Sequence, residues 1–421
     1  MTILACLSAF IFTACERPLP PVEPDDAAVV GPDDPAAVEA ITAIGPKIKR
    51  TGNHITELDF TQTDAGDDDM VHLPGLKGLR RLTLPGPNFS DAAMDHVAQV
   101  PTLEVLKMDS SDVSDSGVER IQGLTGLAAL SLRNTSITDA AVRSMKGMTR
   151  LRDLDLRFTP VGDDAMAELK AFPSLRYLKL EGTQVTDAGL KNVGKLQELQ
   201  HLDLRGHLIT DAGVAALSGL KNLRHLELDD TLVGDDGLGA LSDLTQLRHL
   251  SLLRCERITD DGLSALATMA EMEVLSLHRT GVGSDGLEHL RKMSKLTTLD
   301  LSETTVADEG LAHLKDHKSL ESLNLWDTFA SDAGVTHLAG LTNLKTLNLQ
   351  NTALTDKGVA HLAGLKDLED LNLAGTSVSD DGIAKLHGLK KLKKLSVEFA
   401  QTTPYGIDKL IQAIPDLQVQ Y

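Results

Sequence analysis

The stretch HLDLRGHLITDAGVAALSGLKNLRHLELDD, residues 201–230, contains one complete sequence unit and the start of the next. A His-Leu-X-Leu tetrapeptide opens it at His201, and the same pattern recurs at His225 and His249. The alternation of leucine with other residues predicts a short β-strand that buries one face. After the strand, a Thr-Asp pair precedes apolar residues about three positions apart, which predicts a short helix. The fold therefore depends on how far this strand–helix unit repeats.

The unit recurs along most of the chain. An apolar residue opens each unit every 24 residues from Leu79 to Leu247, one step of 25 leads to Met272, and the 24-residue step then continues to Leu392. Stepping back from Leu79 gives Ile55, so the sequence predicts fifteen units in residues 55–421. Each unit reads approximately LxxLxLxxTxVTDxGLxxLxxLxx. A single unit cannot bury its own leucines, so the units must stack.

Stacking of identical units predicts the architecture. Because every unit has a strand followed by a helix, neighbouring strands must run parallel. Strands stack about 4.8 Å apart whereas packed helices need about 10 Å, so the sheet must line the concave side of a curve. The Ser or Thr before each helix is a preferred N-cap, and the Asp that follows lies at the positive end of the helix dipole.

The repeated unit resembles the leucine-rich repeat, and the resemblance covers residues 55–421. It implies an α/β fold, a leucine-rich-repeat solenoid shaped as a curved horseshoe, with a parallel β-sheet on the concave face and short helices on the convex face. The longer unit from Cys255 to Leu263 resembles the cysteine-containing repeats of F-box-associated proteins, although no F-box segment is present. The whole pattern is similar to 24-residue repeats of exported bacterial, planctomycete-like proteins. This similarity implies an N-terminal cap in residues 36–54 and a C-terminal capping strand at the end of the chain.

The first 35 residues have a different composition from the repeats. Residues 1–15 combine a short apolar run with Phe-Thr-Ala-Cys ending at Cys15, which resembles a bacterial lipobox and predicts a signal peptide with lipidation of Cys15. An ordinary cleaved signal peptide and a wrongly assigned start are the alternatives. Residues 16–35 are rich in Pro and Asp, which predicts a disordered tether. Removal of Cys6 and lipidation of Cys15 would leave only Cys255, so no intrachain disulfide is expected.

Charge narrows the choice of partners. The formal net charge is -20 with a pI near 5.1, which excludes binding to phosphate backbones and anionic membrane surfaces. We therefore expect membrane contact through the N-terminal lipid only. The predicted location is the cell envelope of a bacterium, on the periplasmic or outer-membrane side, and the predicted state is a monomer.

The strand residues that alternate with the buried leucines point away from the core, and successive units stack them into three columns. These outward columns are the candidate binding surface, because the repeat does not fix their residue types. Exposed Trp, Tyr and Arg are the usual anchors of protein interfaces, although single exposed aromatic residues are also common. The candidate partner-binding residues are Arg133, Arg157, Phe158, Tyr177, His201, Asp203, Arg205, His225, Glu227, His249 and Trp326.

Two metal sites are alternatives to a protein interface. His201, His225 and His249 lie on adjacent rungs and could hold zinc, with Asp203 or Glu227 as a fourth ligand. Histidine also recurs at other positions of the repeat, which favours an ordinary surface role. The row of Asp residues at the helix starts could suggest calcium, but a capping role explains each of them locally. We predict no metal, no cofactor and no catalytic residue.

The sequence thus favours a non-catalytic protein-binding scaffold that is exported and lipid-anchored. The first alternative is a cytosolic substrate-recognition adaptor that resembles F-box-associated repeat proteins. The second alternative is a metal site at the three histidines.

Overall fold

The computed structural model describes residues 31–206 and 208–421 and contains one open sheet. Consecutive strands pair with each other along the chain, and every pair from β2 to β17 is parallel. The strands are β1 Lys47–Thr51, β2 His54–Asp59, β3 Arg81–Thr83, β4 Val105–Lys107, β5 Ala129–Ser131, β6 Asp153–Asp155, β7 Tyr177–Lys179, β8 His201–Asp203, β9 His225–Glu227, β10 His249–Ser251, β11 Val274–Ser276, β12 Thr298–Asp300, β13 Ser322–Asn324, β14 Thr346–Asn348, β15 Asp370–Asn372, β16 Lys394–Ser396 and β17 Gln418–Gln420.

One or two short helical segments follow each strand from β2 to β16, as the repeat predicts. The α-helices are α1 Pro35–Ile44, α2 Asp91–Val97, α3 Asp115–Arg120, α4 Asp139–Ser144, α5 Asp163–Glu168, α6 Asp187–Val193, α7 Asp211–Ala215, α8 Asp235–Gly239, α9 Asp260–Leu263, α10 Asp308–Leu311, α11 Asp332–Val335, α12 Asp356–Leu362, α13 Asp380–Ile383 and α14 Pro404–Ala413. Segments of 3-10 helix are Asp67–Gly75, Met145–Gly147, Leu169–Ala171, Ser264–Thr268, Asp285–Lys292, Ala312–Leu314, Thr336–Leu338 and Ala384–Gly388. The predicted solenoid of strands and short helices is confirmed.

The core is a continuous apolar layer between the sheet and the helices. In one unit, Leu178 and Leu180 of the strand segment meet Leu190 and Val193 of α6, and all four are at most 3% exposed. Each fully buried aliphatic side chain contributes about 1.5 to 3 kcal/mol to stability. The opposite face of the sheet, here called the outer face, carries the residues that the repeat leaves free.

The N-terminal cap begins earlier than the sequence predicts. Its helix α1 begins at Pro35, and Asp33 is buried, with its carboxylate accepting hydrogen bonds from the backbone N–H of Ile55 at 2.7 Å and of Gly78 at 3.2 Å. Asp33 to Pro35, which the sequence placed in the tether, are therefore part of the cap. The strand β1 pairs antiparallel with β2, because a hairpin and not a full repeat joins them.

Aspartates at the helix starts join successive units. Asp163 is representative: its carboxylate accepts hydrogen bonds from the backbone N–H and the hydroxyl of Thr186, at 2.8 and 2.7 Å, one unit further along. It also accepts one from the N–H of Gly189 at 3.0 Å. A Cβ on Gly189 would lie 2.4 Å from that carboxylate oxygen, which explains the small residue at this position. The predicted helix-capping role of these aspartates is thus incomplete, since they also bond the next unit.

One junction lacks this aspartate. Ser284 occupies the position, and its hydroxyl accepts a single hydrogen bond from the N–H of Ala307 at 3.0 Å. The segment that follows, Asp285–Lys292, is a 3-10 helix and not an α-helix. This junction therefore has a neutral hydrogen bond where its neighbours have charge-assisted ones.

Candidate functional site

The outer face places four rings in one row, here called the ring ladder. The parallel register aligns Tyr177 with His201, His201 with His225, and His225 with His249. Ring centroids are 6.1 Å apart for the first pair and 5.5 Å apart for the other two, with interplanar angles of 32°, 26° and 25°. The three imidazoles therefore stack over three consecutive strands, and the tyrosine ring packs against one end of the stack at a tilt.

Stacking buries the ladder more than an outward position suggests. His201 and His249 are only 8% and 6% exposed, whereas Tyr177 and His225 are half-buried. Burial, reinforced by the neighbouring His225, lowers the pKa of His201 to about 3 and the pKa of His249 to about 4. Both imidazoles are therefore neutral at neutral pH.

The geometry does not favour the zinc alternative. Stacked imidazoles present their planes to each other, so their nitrogen lone pairs run side by side and do not converge on one point. Within residues 31–206 and 208–421, no group of three or more His, Cys, Asp or Glu side chains is arranged to hold a metal ion.

Beside the ladder lies a network of acids and arginines. The guanidinium of Arg205 contacts three carboxylates, Asp203 at 2.7 Å, Glu181 at 2.9 Å and Glu227 at 3.0 Å. Arg157 bonds Asp155 at 2.6 Å. The two arginines that the sequence suggested as open anchors are thus already engaged within the chain. Both arginines lie beside the ladder, and their role in partner contact stays a prediction.

Carboxylates outnumber cations in this region. Burial alone would raise the pKa of Asp155, but the hydrogen bond and charge of Arg157 hold that pKa below its usual value. Burial raises the pKa of Asp229 to about 7, although the hydroxyl of Ser251 and the N–H of Leu253 donate to its carboxylate. The outward positions of β6 to β9 and the residues that follow them carry the acids Asp153, Asp155, Glu181, Asp203, Glu227 and Asp229 and the cations Arg157, Lys179 and Arg205.

Arg133 and Phe158 form a contact at the edge of the outer face. The guanidinium carbon of Arg133 lies 5.2 Å from the ring centroid of Phe158, a cation–π arrangement. Phe158 has φ +57° and is 41% exposed. A Cβ on Gly182 would lie 2.7 Å from the Phe158 ring, so the glycine leaves room for it. Phe158 therefore belongs to the turn after β6 and not to the outward columns.

Trp326 is half-buried and stacks on His278, two strands away. Their ring centroids are 6.1 Å apart with an interplanar angle of 13°, and the small Ser302 occupies the strand between them. The Ser302 hydroxyl donates to Asp300 at 2.6 Å, so the Nδ1–H of His278 must donate to Ser302 at 2.8 Å. The indole Nε1 is buried and has no hydrogen-bond partner among the described residues.

Sequence reasoning missed some members of this surface. His278, Asp229 and Glu181 occupy outward positions of the repeat, so the sequence did place them on the outer face. Nothing in the sequence distinguished them from the other outward residues. Phe399 follows β16 with φ +58° and is 93% exposed. Its left-handed turn position is occupied by many residue types among the units, such as Gly, Asn, Asp, Arg and Phe, which left no sequence signal.

The repeat has counterparts in known proteins. A family model described as a leucine-rich repeat region matches residues 151–418. The chain belongs to the leucine-rich-repeat family. Leucine-rich repeats are typical scaffolds for protein–protein interaction. No curated protein matches the sequence of this leucine-rich-repeat protein.

Solved structures share the fold of this leucine-rich-repeat protein. An internalin from Listeria monocytogenes aligns with a TM-score of 0.61 and 19% identity, covering 92% of this chain and 94% of its own. A leucine-rich-repeat protein from Leptospira interrogans aligns with a TM-score of 0.62 and 17% identity, covering 83% and 92%. The ectodomain of the plant receptor kinase GASSHO1/SCHENGEN3 from Arabidopsis thaliana, in complex with CASPARIAN STRIP INTEGRITY FACTOR 2, aligns with a TM-score of 0.53 and 15% identity, covering 90% of this chain and 51% of its own. At these identities the likeness concerns the fold alone.

Most of the predicted N-terminal features fall outside the part of the chain that the structure describes. Cys15, the signal peptide and most of the tether lie outside the described residues. No helix within the described part of the chain is both long and apolar enough to span a bilayer.

Proposed function

We propose that this protein is a non-catalytic scaffold that holds a protein partner on its outer face. The observation that carries the proposal is the ring ladder with its acid–arginine network. Tyr177, Arg157 and Arg205 are half-buried, held by neighbours, and presented on a sheet whose strands are rigidly paired. Side chains fixed in this way lose little conformational entropy when a partner binds, which favours affinity.

The comparison with solved structures supports the same assignment. One of the aligned structures, the plant receptor ectodomain, is a complex with another factor. The outer face of this chain is also the surface that the repeat leaves variable, whereas the leucines and the junction aspartates are constrained by packing. A partner that recognises sequence differences between units would therefore bind this face.

Photo-crosslinking tests this proposal directly. A photoreactive amino acid replaces Tyr177 on the outer face, or Lys191 on the exposed side of α6 as the matched control. Crosslinks to a discrete protein from the Tyr177 position, without the same product from Lys191, are expected. The reverse pattern, with products from α6 only, contradicts an interface on the outer face.

The proposal includes export and lipid anchoring in a bacterial cell envelope, on the strength of the lipobox-like sequence that ends at Cys15. The repeats are also similar to those of the exported planctomycete-like bacterial proteins named above, which supports export. Labelled palmitate is expected to enter the wild-type protein and not Cys15→Ala, which would leave the membrane fraction. A Cys15→Ala protein that fractionates like the wild type would instead favour the cytosolic adaptor.

A further inference from the structure

The outer face carries a local charge imbalance. Between β6 and β9 there are six carboxylates and three cations among the outward positions named above. Further along, the outward positions from β11 to β14 are Ser, Thr, Asn and other uncharged residues, with Asp300 as the acid among them. The negative excess is therefore concentrated on one stretch of the sheet and is not a property of the whole face.

The cations present there are shared and cannot balance every acid. Arg205 is divided among three carboxylates, and Lys179 lies 3.6 Å from the same Asp155 that Arg157 already bonds. Asp153, at the start of β6, has no hydrogen bond and no ion pair within 4.0 Å among the described residues. The carboxylates of this stretch therefore outnumber the cations that can neutralise them.

Asp153 lies beside the end of the ring ladder. It pairs directly with Tyr177 in the β6–β7 register, and both side chains are half-buried. His201 is the neighbour of the tyrosine on the β8 side, with ring centroids 6.1 Å apart, and Asp153 is its neighbour on the β6 side. A cation placed there would meet a carboxylate and an aromatic face together, a combination that suits arginine in particular.

We infer that the outer face from β6 to β9 binds a protein segment that carries arginine or lysine, with Asp153 and the ring of Tyr177 as its first cation site. The inference rests on the proposed scaffold function and specifies the chemistry of the partner. Burial raises the pKa of Asp153, although the charges of Lys179, Lys107 and Arg157 partly offset this effect, and an incoming cation would add to their stabilisation of the charged form. The net charge of -20 adds long-range attraction for a basic segment.

Fluorescence polarisation with a labelled Gly-Arg-Gly-Arg-Gly-Arg-Gly peptide tests the inference on the full chain. The peptide in which Glu replaces Arg is the charge control. The arginine peptide is expected to bind and to weaken at least about tenfold between about 0.05 M and about 0.5 M salt, whereas the glutamate peptide does not bind. Equal binding of the two peptides would overturn the inference.

Two variants locate the site. Asp153→Asn keeps the shape of the side chain and is expected to weaken the arginine peptide about tenfold, and Tyr177→Ala is expected to weaken it as well. The matched control is Asp370→Asn on β15. Asp370 is a half-buried acid at the same strand position as Asp153, and burial raises its pKa as well. Circular dichroism and thermal unfolding confirm that each variant is folded. Equal losses from Asp153→Asn and Asp370→Asn would show that overall charge, and not this site, attracts the peptide.

Spermine separates a peptide site from a site for any polycation. Binding of spermine as tight as that of the arginine peptide would overturn the assignment of a protein segment. Failure here is distinguishable from failure of the scaffold function. A partner that crosslinks at Tyr177 but shows no preference for arginine would end this inference alone, whereas crosslinks confined to α6 would end both.

Discussion

The carboxylate of Asp163 accepts hydrogen bonds from both the backbone N–H and the hydroxyl of Thr186, one repeat further along the chain. The same hydroxyl oxygen accepts from the N–H of Ala188 at 3.2 Å, which caps the helix α6. One threonine thus caps its own helix and bonds the preceding unit. Equivalent aspartates, from Asp67 to Asp380, bond the start of the next unit along the solenoid, except at the junction where Ser284 takes the place of the aspartate.

Removal of one of these carboxylates is expected to destabilise the protein. Asp163→Ala leaves the N–H groups of Thr186 and Gly189 without their charged acceptor, and we expect a loss of about 1 to 3 kcal/mol in the free energy of unfolding. Urea denaturation measures this change. The matched control is Asp164→Ala, an exposed neighbour outside the junction, for which we expect a change within about 0.5 kcal/mol. Equal effects of the two substitutions would contradict the structural role.

The junction at Ser284 is expected to be the weaker one. The amide of Ala307, which bonds a neutral hydroxyl, should exchange its hydrogen faster than the amide of Ser331, which bonds the carboxylate of Asp308. The double change Ser284→Asp with Ala307→Thr restores the pattern of the other junctions and should add about 1 to 3 kcal/mol to the free energy of unfolding. Slower exchange at Ala307 than at Ser331 in the wild type would argue against a weak junction.

Asp229 is expected to make stability fall as pH rises. Its pKa is raised to about 7, so the folded chain holds this proton more tightly than the unfolded chain. The resulting stabilisation is present below pH 3.8 and is lost as pH rises to about 7. Asp229→Asn should therefore gain stability relative to the wild type between pH 4 and pH 8, as urea denaturation at several pH values would show. Asp236→Asn, on the exposed side of α8, should show no such trend.

His201 is expected to act in the opposite direction. Its pKa is lowered to about 3, so the unfolded chain binds the proton more readily than the folded chain. The stability that the neutral ring provides is present above pH 6.5 and is lost as pH falls toward about 3. His201→Gln should flatten the acid limb of the stability profile, whereas His361→Gln, exposed on α12, should leave it unchanged. An unaltered acid limb in His201→Gln would count against the buried neutral imidazole.

Trp326 offers an optical test of its stack with His278. It is the only tryptophan in the chain, so intrinsic fluorescence reports on this site alone. His278→Ala removes the stacked ring, which should expose the indole, shift its emission to longer wavelength and cost about 0.5 to 1.5 kcal/mol. His361→Ala is the matched control on the helix side and should leave the spectrum as it is. An unshifted spectrum in His278→Ala would contradict the stack.

The repeat made the fold and the outward columns predictable. Leucines at a 24-residue period leave one way to bury them, so the parallel strands and short helices followed from the pattern. The cap was less predictable: Asp33 looked like part of an acidic tether, and its buried contacts depend on residues more than 20 positions away. The candidate set also included Phe158, which the structure assigns to a left-handed turn and not to a column.

The sequence alone determined which residue type stands at each outward position and in which order those positions stack. Which of those side chains are engaged was decided by the folded sheet. Arg205 reaches Glu181 and Glu227 only when strands a full repeat apart come into register, and His201 becomes neutral and buried only when rings pack on both of its sides. Hydrogen bonding, burial and charge depend on neighbours in space, and in a solenoid those neighbours are about 24 residues away in sequence.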